Sequence, residues 1–80
     1  MLILSIDAGT TGVTAQLVDA LGQAVGRGYR EFEQHFPQPG WVEHQPEQIW
    51  QATLVAVLGA LEVAGVERSA ISAIGITNQR

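Results

Sequence analysis

Asp7, Gly9, Thr10, Thr11 and Gly12 place a carboxylate, two hydroxyls and two residues without side-chain bulk in one short stretch near the start of the chain. Small residues let a ligand come close to the backbone. There, N–H groups and the hydroxyls of Thr10 and Thr11 can donate to phosphate oxygens, and Asp7 can hold a divalent cation through water. The same residues also satisfy a plain turn, so a hairpin with no ligand is the competing reading. A second polar group, Thr77, Asn78, Gln79 and Arg80, follows an apolar run and reads either as a binding edge or as a solvated tail. His35, Glu43 and His44 carry metal-ligating atoms, but nothing fixes their geometry and no further spaced ligand follows, so they do not define a metal site.

These groups need elements to position them. Leu2 to Ile6 is an almost wholly apolar run, as expected of a strand covered on both faces, and it delivers Asp7 to the turn. Val13, Ala15 and Leu17 alternate with Thr14 and Gln16, a period of two that lays a second strand beside the first and makes the turn a hairpin tip at a sheet edge. Asp19 to Gly22 is a further turn whose glycine suits a positive φ. Gln23 to Gln34 alternates imperfectly, interrupted by Gly26 and Gly28, and reads as an edge strand with a bulge whose Arg30, Glu31 and Glu33 face solvent. From His35 to Gln45, two prolines and Gly40 forbid regular structure. Phe36, Trp41 and Val42 predict a packed loop, with His44 or Gln45 capping the next helix.

Pro46 suits a first helical position and Glu47 complements the positive end of the helix. Ile49, Trp50, Thr53, Leu54, Val57, Leu58 and Leu61 then recur on one helical face, predicting a core stripe that includes Trp50, and Gly65 ends the helix. Ile71 to Thr77 reads as a buried strand parallel to the first. A strand–helix–strand crossover places it beside strand one, giving a mixed α/β sheet of order 3-2-1-4 with one long helix. The carboxyl end of that last strand then lies beside Asp7, and the two polar groups face one crevice.

Composition narrows the function classes. With 46% hydrophobic and 15% charged residues in 80, the chain is one globular unit at most. It has no cysteine, which excludes disulfides and thiolate metal sites. Eight acids against four arginines give a formal net charge of −4 without a basic cluster, against a nucleic-acid surface. No run approaches the roughly 20 apolar residues of a membrane span, and the expectation is a soluble, cytoplasmic protein with no membrane partner.

Asp7 to Thr11 between two strands resembles the first phosphate loop of the superfamily that unites sugar kinases, Hsp70 and actin, and within it the FGGY carbohydrate kinases. Tyr29 to Phe32, Phe36 to His44, Pro46, Glu47, Ile49, Trp50 and Ala73 to Arg80 extend the resemblance over nearly the whole chain, toward the glycerol-phosphorylating branch of that family. The resemblance implies a ribonuclease H-like (actin-like ATPase) half-domain in which residues 1–80 are the incomplete N-terminal part of a two-domain enzyme. It implies ATP and Mg²⁺ as cofactors and a small polyol or sugar as substrate. Asp7, Gly9, Thr10, Thr11 and Gly12 then belong to the nucleotide-phosphate site, Asp7 to the metal, and Arg80 to the polyol hydroxyls. No catalytic base falls within these residues.

The resemblance has departures. Ala8, Gly12, Val13 and Thr14 stand where the glycerol branch usually carries Gln, two Ser and an Arg, which keeps another FGGY sugar open as substrate. A non-catalytic actin-like binding or assembly module is the alternative from another class. A one-helix sheet leaves apolar surface uncovered, so the chain is expected to self-associate and its parent to form a homo-oligomer.

Overall fold

The computed structural model describes residues 1–32 and 46–78. Strand β1 runs from Leu2 to Ala8, β2 from Gly12 to Val18 and β3 from Ala24 to Glu31; helix α1 spans Pro46–Ala64, and β4 spans Ile71–Asn78 after a 3-10 turn at Arg68–Ala70. The sheet order is β3-β2-β1-β4, with β1 antiparallel to β2 and parallel to β4. This is the expected architecture. Strand β1 is longer than its apolar run suggests, because Asp7 and Ala8 stay in register with Thr14 and Val13 on β2. The β1–β2 tip therefore lies at the end of the two inner strands. The expected bulge falls at Val25, since Leu17 pairs with Gly26 and Val18 with Ala24.

Turn chemistry follows the residue types. Asp19 Oδ1 accepts from the Leu21 and Gln23 N–H groups, both at 2.9 Å, and Gly22 takes φ +82°. Such an Asx turn serves both backbone donors with one carboxylate and leaves the left-handed position to glycine. At the end of α1, Gly65 takes φ +70°; its N–H donates to the Glu62 carbonyl (3.2 Å) and that of Val66 donates to Leu61 (3.2 Å). This Schellman arrangement satisfies carbonyls that the helix itself cannot.

The helix packs differently from the expected stripe. Its buried residues are Ala52, Ala56, Ala60 and Leu61, with Ile49, Val57 and Ala64 partly buried against the same core of Leu4, Ile6, Val13, Ala15 and Leu17. Trp50 is 62% exposed and Leu58 64%, and Leu54 is exposed too, so these three are not core residues. The cause lies in β3. A Cβ on Gly26 would run into the Ala60 carbonyl and one on Gly28 into the Ala56 carbonyl, so the helix backbone sits directly on the strand and only alanines fit between. Thr53 turns its hydroxyl back to the Ile49 carbonyl at 2.8 Å.

Because α1 lies over β3 and β2, it does not cover β4. Leu4 and Ile6 pair with Ile74 and Ile76, which share their face of the sheet yet are 60% and 73% exposed. Strand β4 is thus parallel, as expected, but not buried, and β1 is covered on one face among the described residues rather than on both. The packed loop, its Phe36, Trp41 and Val42, the cap from His44 or Gln45, and the weighing of His35, Glu43 and His44 as ligands fall outside the described residues.

Candidate functional site: a phosphate hairpin on a polar sheet face

Strand alternation makes the two faces of this sheet chemically opposite. Leu4, Ile6, Ala15 and Leu17 point to the helix, so Ser5, Asp7, Thr14 and Gln16 stand on the other face. Register then builds rows across the strands. Thr77, Asp7, Thr14 and Tyr29 form one row, and Gly75, Ser5, Gln16 and Arg27 form the next. Together Ser5, Asp7, Thr14, Gln16, Arg27 and Thr77 line an open hollow of about 350 Å³.

The hairpin tip closes the upper end of this face. Gly9 N–H donates to the Gly12 carbonyl at 2.9 Å, and the Phe32 N–H donates to the Thr11 carbonyl at 3.2 Å, tying the end of β3 to the tip. Thr10 and Thr11 between those bonds are exposed, and neither their N–H groups nor their hydroxyls have a partner among the described residues. Four donors of one turn are therefore open to solvent, as the binding of an oxyanion would require. Gly12 also has a packing role. A Cβ there would lie 2.6 Å from the Tyr29 hydroxyl and 2.7 Å from the Arg30 carbonyl, so its missing side chain makes room for β3 and the Tyr29 ring. Gly9 has no such crowding; its nearest neighbour, the Gly12 carbonyl, is at 3.5 Å.

Asp7 is exposed, one position before Ala8 leaves the strand, and its carboxylate makes no ion pair or hydrogen bond among the described residues. No group of three or more His, Cys, Asp or Glu stands together there either. That donor set fits Mg²⁺ in one mode: the ion dehydrates reluctantly and is commonly held by one or two carboxylates, waters and ligand phosphates. A lone carboxylate beside exposed hydroxyl and N–H donors is compatible with this mode.

The structure thus brings together Asp7, Gly9, Thr10, Thr11 and Gly12, all on one hairpin, and lays the end of β4 beside them, with Asn78 paired to Ala8. Arg80 and Gln79 fall outside the described residues. Sequence reasoning missed Ser5, Gln16, Arg27, Tyr29 and Thr77 as neighbours of Asp7. The signal was present in the alternation of β2, extended by register to the strands on either side.

A mixed sheet of order β3-β2-β1-β4, with a helix leading to a strand that returns parallel beside the first, is an actin-like ATPase fold of the kind used by carbohydrate kinases. Residues 2–80 match the model of the FGGY family of carbohydrate kinases, N-terminal domain. The chain belongs to this family. It is 54% identical over 78 residues to the glycerol kinase of Thermococcus gammatolerans and 51% identical to that of Sinorhizobium fredii, in each case over 98% of this chain and 16% of the relative. Among solved structures, a xylulose kinase from Brucella ovis superposes with a TM-score of 0.91 at 35% identity, covering 99% of this chain and 17% of that one. The Plasmodium falciparum glycerol kinase with ADP superposes at 0.85 and 32% identity, covering 99% and 16%. The chain therefore spans about one sixth of the length of the relatives it matches. Among the described residues no helix is long and apolar enough to cross a membrane.

Proposed function

We propose that the chain is an incomplete piece of the N-terminal domain of an ATP-dependent carbohydrate kinase that phosphorylates glycerol to glycerol 3-phosphate. The observation that carries this reading is the hairpin, where four donors of Thr10 and Thr11 and the carboxylate of Asp7, all without partners among the described residues, stand close in the chain. Glycerol is favoured by the identity of about half to proteins named glycerol kinase. A second reading, xylulose or a related sugar, is favoured by the close superposition on the Brucella ovis enzyme and by Ala8, Gly12, Val13 and Thr14 in the loop.

Phosphoryl transfer demands positioning and charge stabilisation more than covalent help from the protein. In this reading the Thr10 and Thr11 N–H groups and hydroxyls hold phosphate oxygens, and preorganised donors of this kind stabilise charge as it develops on them. Asp7 would hold Mg²⁺, and the ion would supply neutralisation of charge on the phosphates. Arg80 donates in a fork to two neighbouring hydroxyls of the polyol, a geometry that Lys cannot reproduce. The base that deprotonates the attacking hydroxyl comes from residues beyond these 80. The remaining roles are a soluble, cytoplasmic enzyme with a small-molecule substrate, no nucleic-acid or membrane partner, and a homo-oligomeric parent.

The deciding experiment takes the longer enzyme that carries this chain and measures ADP release from ATP and Mg²⁺ with glycerol, xylulose and gluconate as acceptors. A kcat/KM for glycerol at least about tenfold above the others supports the reading, since tenfold corresponds to about 1.4 kcal/mol of transition-state preference. Turnover of xylulose in its place selects the second reading, and no acceptor-dependent ADP release rejects both.

A further inference from the structure

The hollow below the hairpin carries a cation that the kinase reading does not use. Arg27 stands on the edge strand β3, paired in register with Gln16, and lines the hollow with Ser5, Asp7, Thr14 and Thr77. Its guanidinium makes no ion pair or hydrogen bond among the described residues. It is also one of only three arginines among them, and Arg68 lies on the helix side, against Leu58 and Leu61.

Distance separates this position from the hairpin tip. Arg27 lies two strands across and two residues back from Asp7, a Cα separation on the order of 12 Å from ordinary strand spacing and rise. The tip lies farther still, so an anion held by Thr10 and Thr11 does not reach Arg27. Between Arg27 and Asp7, by contrast, lie only short polar side chains: the hydroxyls of Ser5 and Thr14 and the amide of Gln16. A guanidinium that presents donors in a planar fork, with neutral hydroxyl and amide donors around it, is matched to a tetrahedral oxyanion. A carboxylate at the far corner, able to carry a cation, complements the rest of such a ligand.

We propose that the hollow is a second anion subsite, in which Arg27 binds a terminal phosphate group of a small-molecule ligand. The proposal rests on the kinase reading for the identity of the phosphate, which comes either from the nucleotide or from the phosphorylated product. Arg27 is in that case a binding residue of the cleft, and the polar half of the sheet is a ligand surface down to the second row rather than at the hairpin alone.

The test uses the longer enzyme, with Arg27→Gln and Arg27→Lys, and with Arg68→Gln as a control of equal charge change on the opposite face. Calorimetric titrations with ADP, glycerol 3-phosphate, inorganic phosphate and uncharged glycerol are compared. Loss of a charge-assisted hydrogen bond predicts about a 10- to 100-fold weaker Kd in R27Q for a phosphate-bearing ligand, partial recovery in R27K, and unchanged values for glycerol and for R68Q. A loss confined to ADP assigns the subsite to the nucleotide, and one confined to glycerol 3-phosphate assigns it to the product. Wild-type affinities retained by R27Q for ADP, glycerol 3-phosphate and inorganic phosphate overturn the proposal. If the wild-type enzyme binds neither ADP nor glycerol 3-phosphate, the kinase reading fails by itself. Inorganic phosphate then still decides the subsite: weaker binding in R27Q supports it, and equal or absent binding in both proteins rejects it.

Discussion

Replacing Gly28 by Ala tests how α1 is seated, because the added methyl group has nowhere to go. Its Cβ would meet the Ala56 carbonyl at a separation no real Cβ tolerates, and would lie 2.8 Å from Ala60 N. Both obstacles are helix backbone, which cannot rotate aside as a side chain would. The helix must lift from β3 by on the order of 1 Å, and that lift thins the contacts of Ala52, Ala56 and Ala60 together. Overpacking of this type costs about 1 to 3 kcal/mol, and a rigid obstacle places it at the upper end. Against this, Ala in a strand gains about 0.5 to 1 kcal/mol over Gly through lost unfolded-state freedom. The net is about 2 kcal/mol of destabilisation. With a urea slope of roughly 1 kcal/mol per molar for a chain of this size, the midpoint falls by about 2 M. The assay is urea unfolding followed by circular dichroism at one fixed protein concentration. Gly75→Ala is the comparison, since a Cβ there meets nothing within 4 Å and should leave the midpoint level or slightly raised. A Gly28→Ala protein that unfolds at the same urea concentration as Gly75→Ala would refute the seating described here.

Other consequences are as direct. Asp19→Ala removes the acceptor of two backbone N–H groups, each now 2.9 Å from Oδ1, and should cost about 1 kcal/mol in the same urea experiment, limited by their exposure to water. Gly22→Ala forces a side chain into φ +82° and should cost about 1 to 2 kcal/mol, with no clash to add to it. In the longer enzyme, Thr10→Val and Thr11→Val should each raise the KM for ATP by roughly 5- to 150-fold, about 1 to 3 kcal/mol of hydrogen bonding; unchanged ATP kinetics in both would reduce the motif to a turn. The isolated 80-residue chain should self-associate through the exposed flank of Trp50, Leu54 and Leu58 and the open side of β4. Sedimentation velocity should show its mass rising with concentration, and Trp50→Glu should shift it toward monomer.

What could be read from sequence, and what could not, divides along the range of each signal. The hairpin, both glycine-ended turns, the Pro46 start and the sheet order were legible, because each depends on residues within a few positions or on a crossover rule. The side of α1 that meets the sheet was not. Trp50, Leu54 and Leu58 form a more apolar stripe than Ala52, Ala56 and Ala60, and hydrophobicity alone selects the wrong seam. The deciding information sits some 30 residues away in β3, where Gly26 and Gly28 leave two side-chain-free positions on the helix-facing side. Small residues on a strand opposite small residues on a helix bring backbones together. Larger apolar residues are thereby displaced to an exposed flank of the helix. The polar hollow escaped for a related reason: Ser5, Thr14, Gln16 and Arg27 are ordinary surface residues one at a time. They become a site only when the register sets them in adjacent rows beside Asp7. The stripe that reads as core and the residues that read as solvent-facing are two results of one packing choice. With α1 drawn close over β3 and β2, Ile74, Ile76 and the Trp50 flank remain exposed. The opposite face, which carries no helix among the described residues, is left free to bind charge.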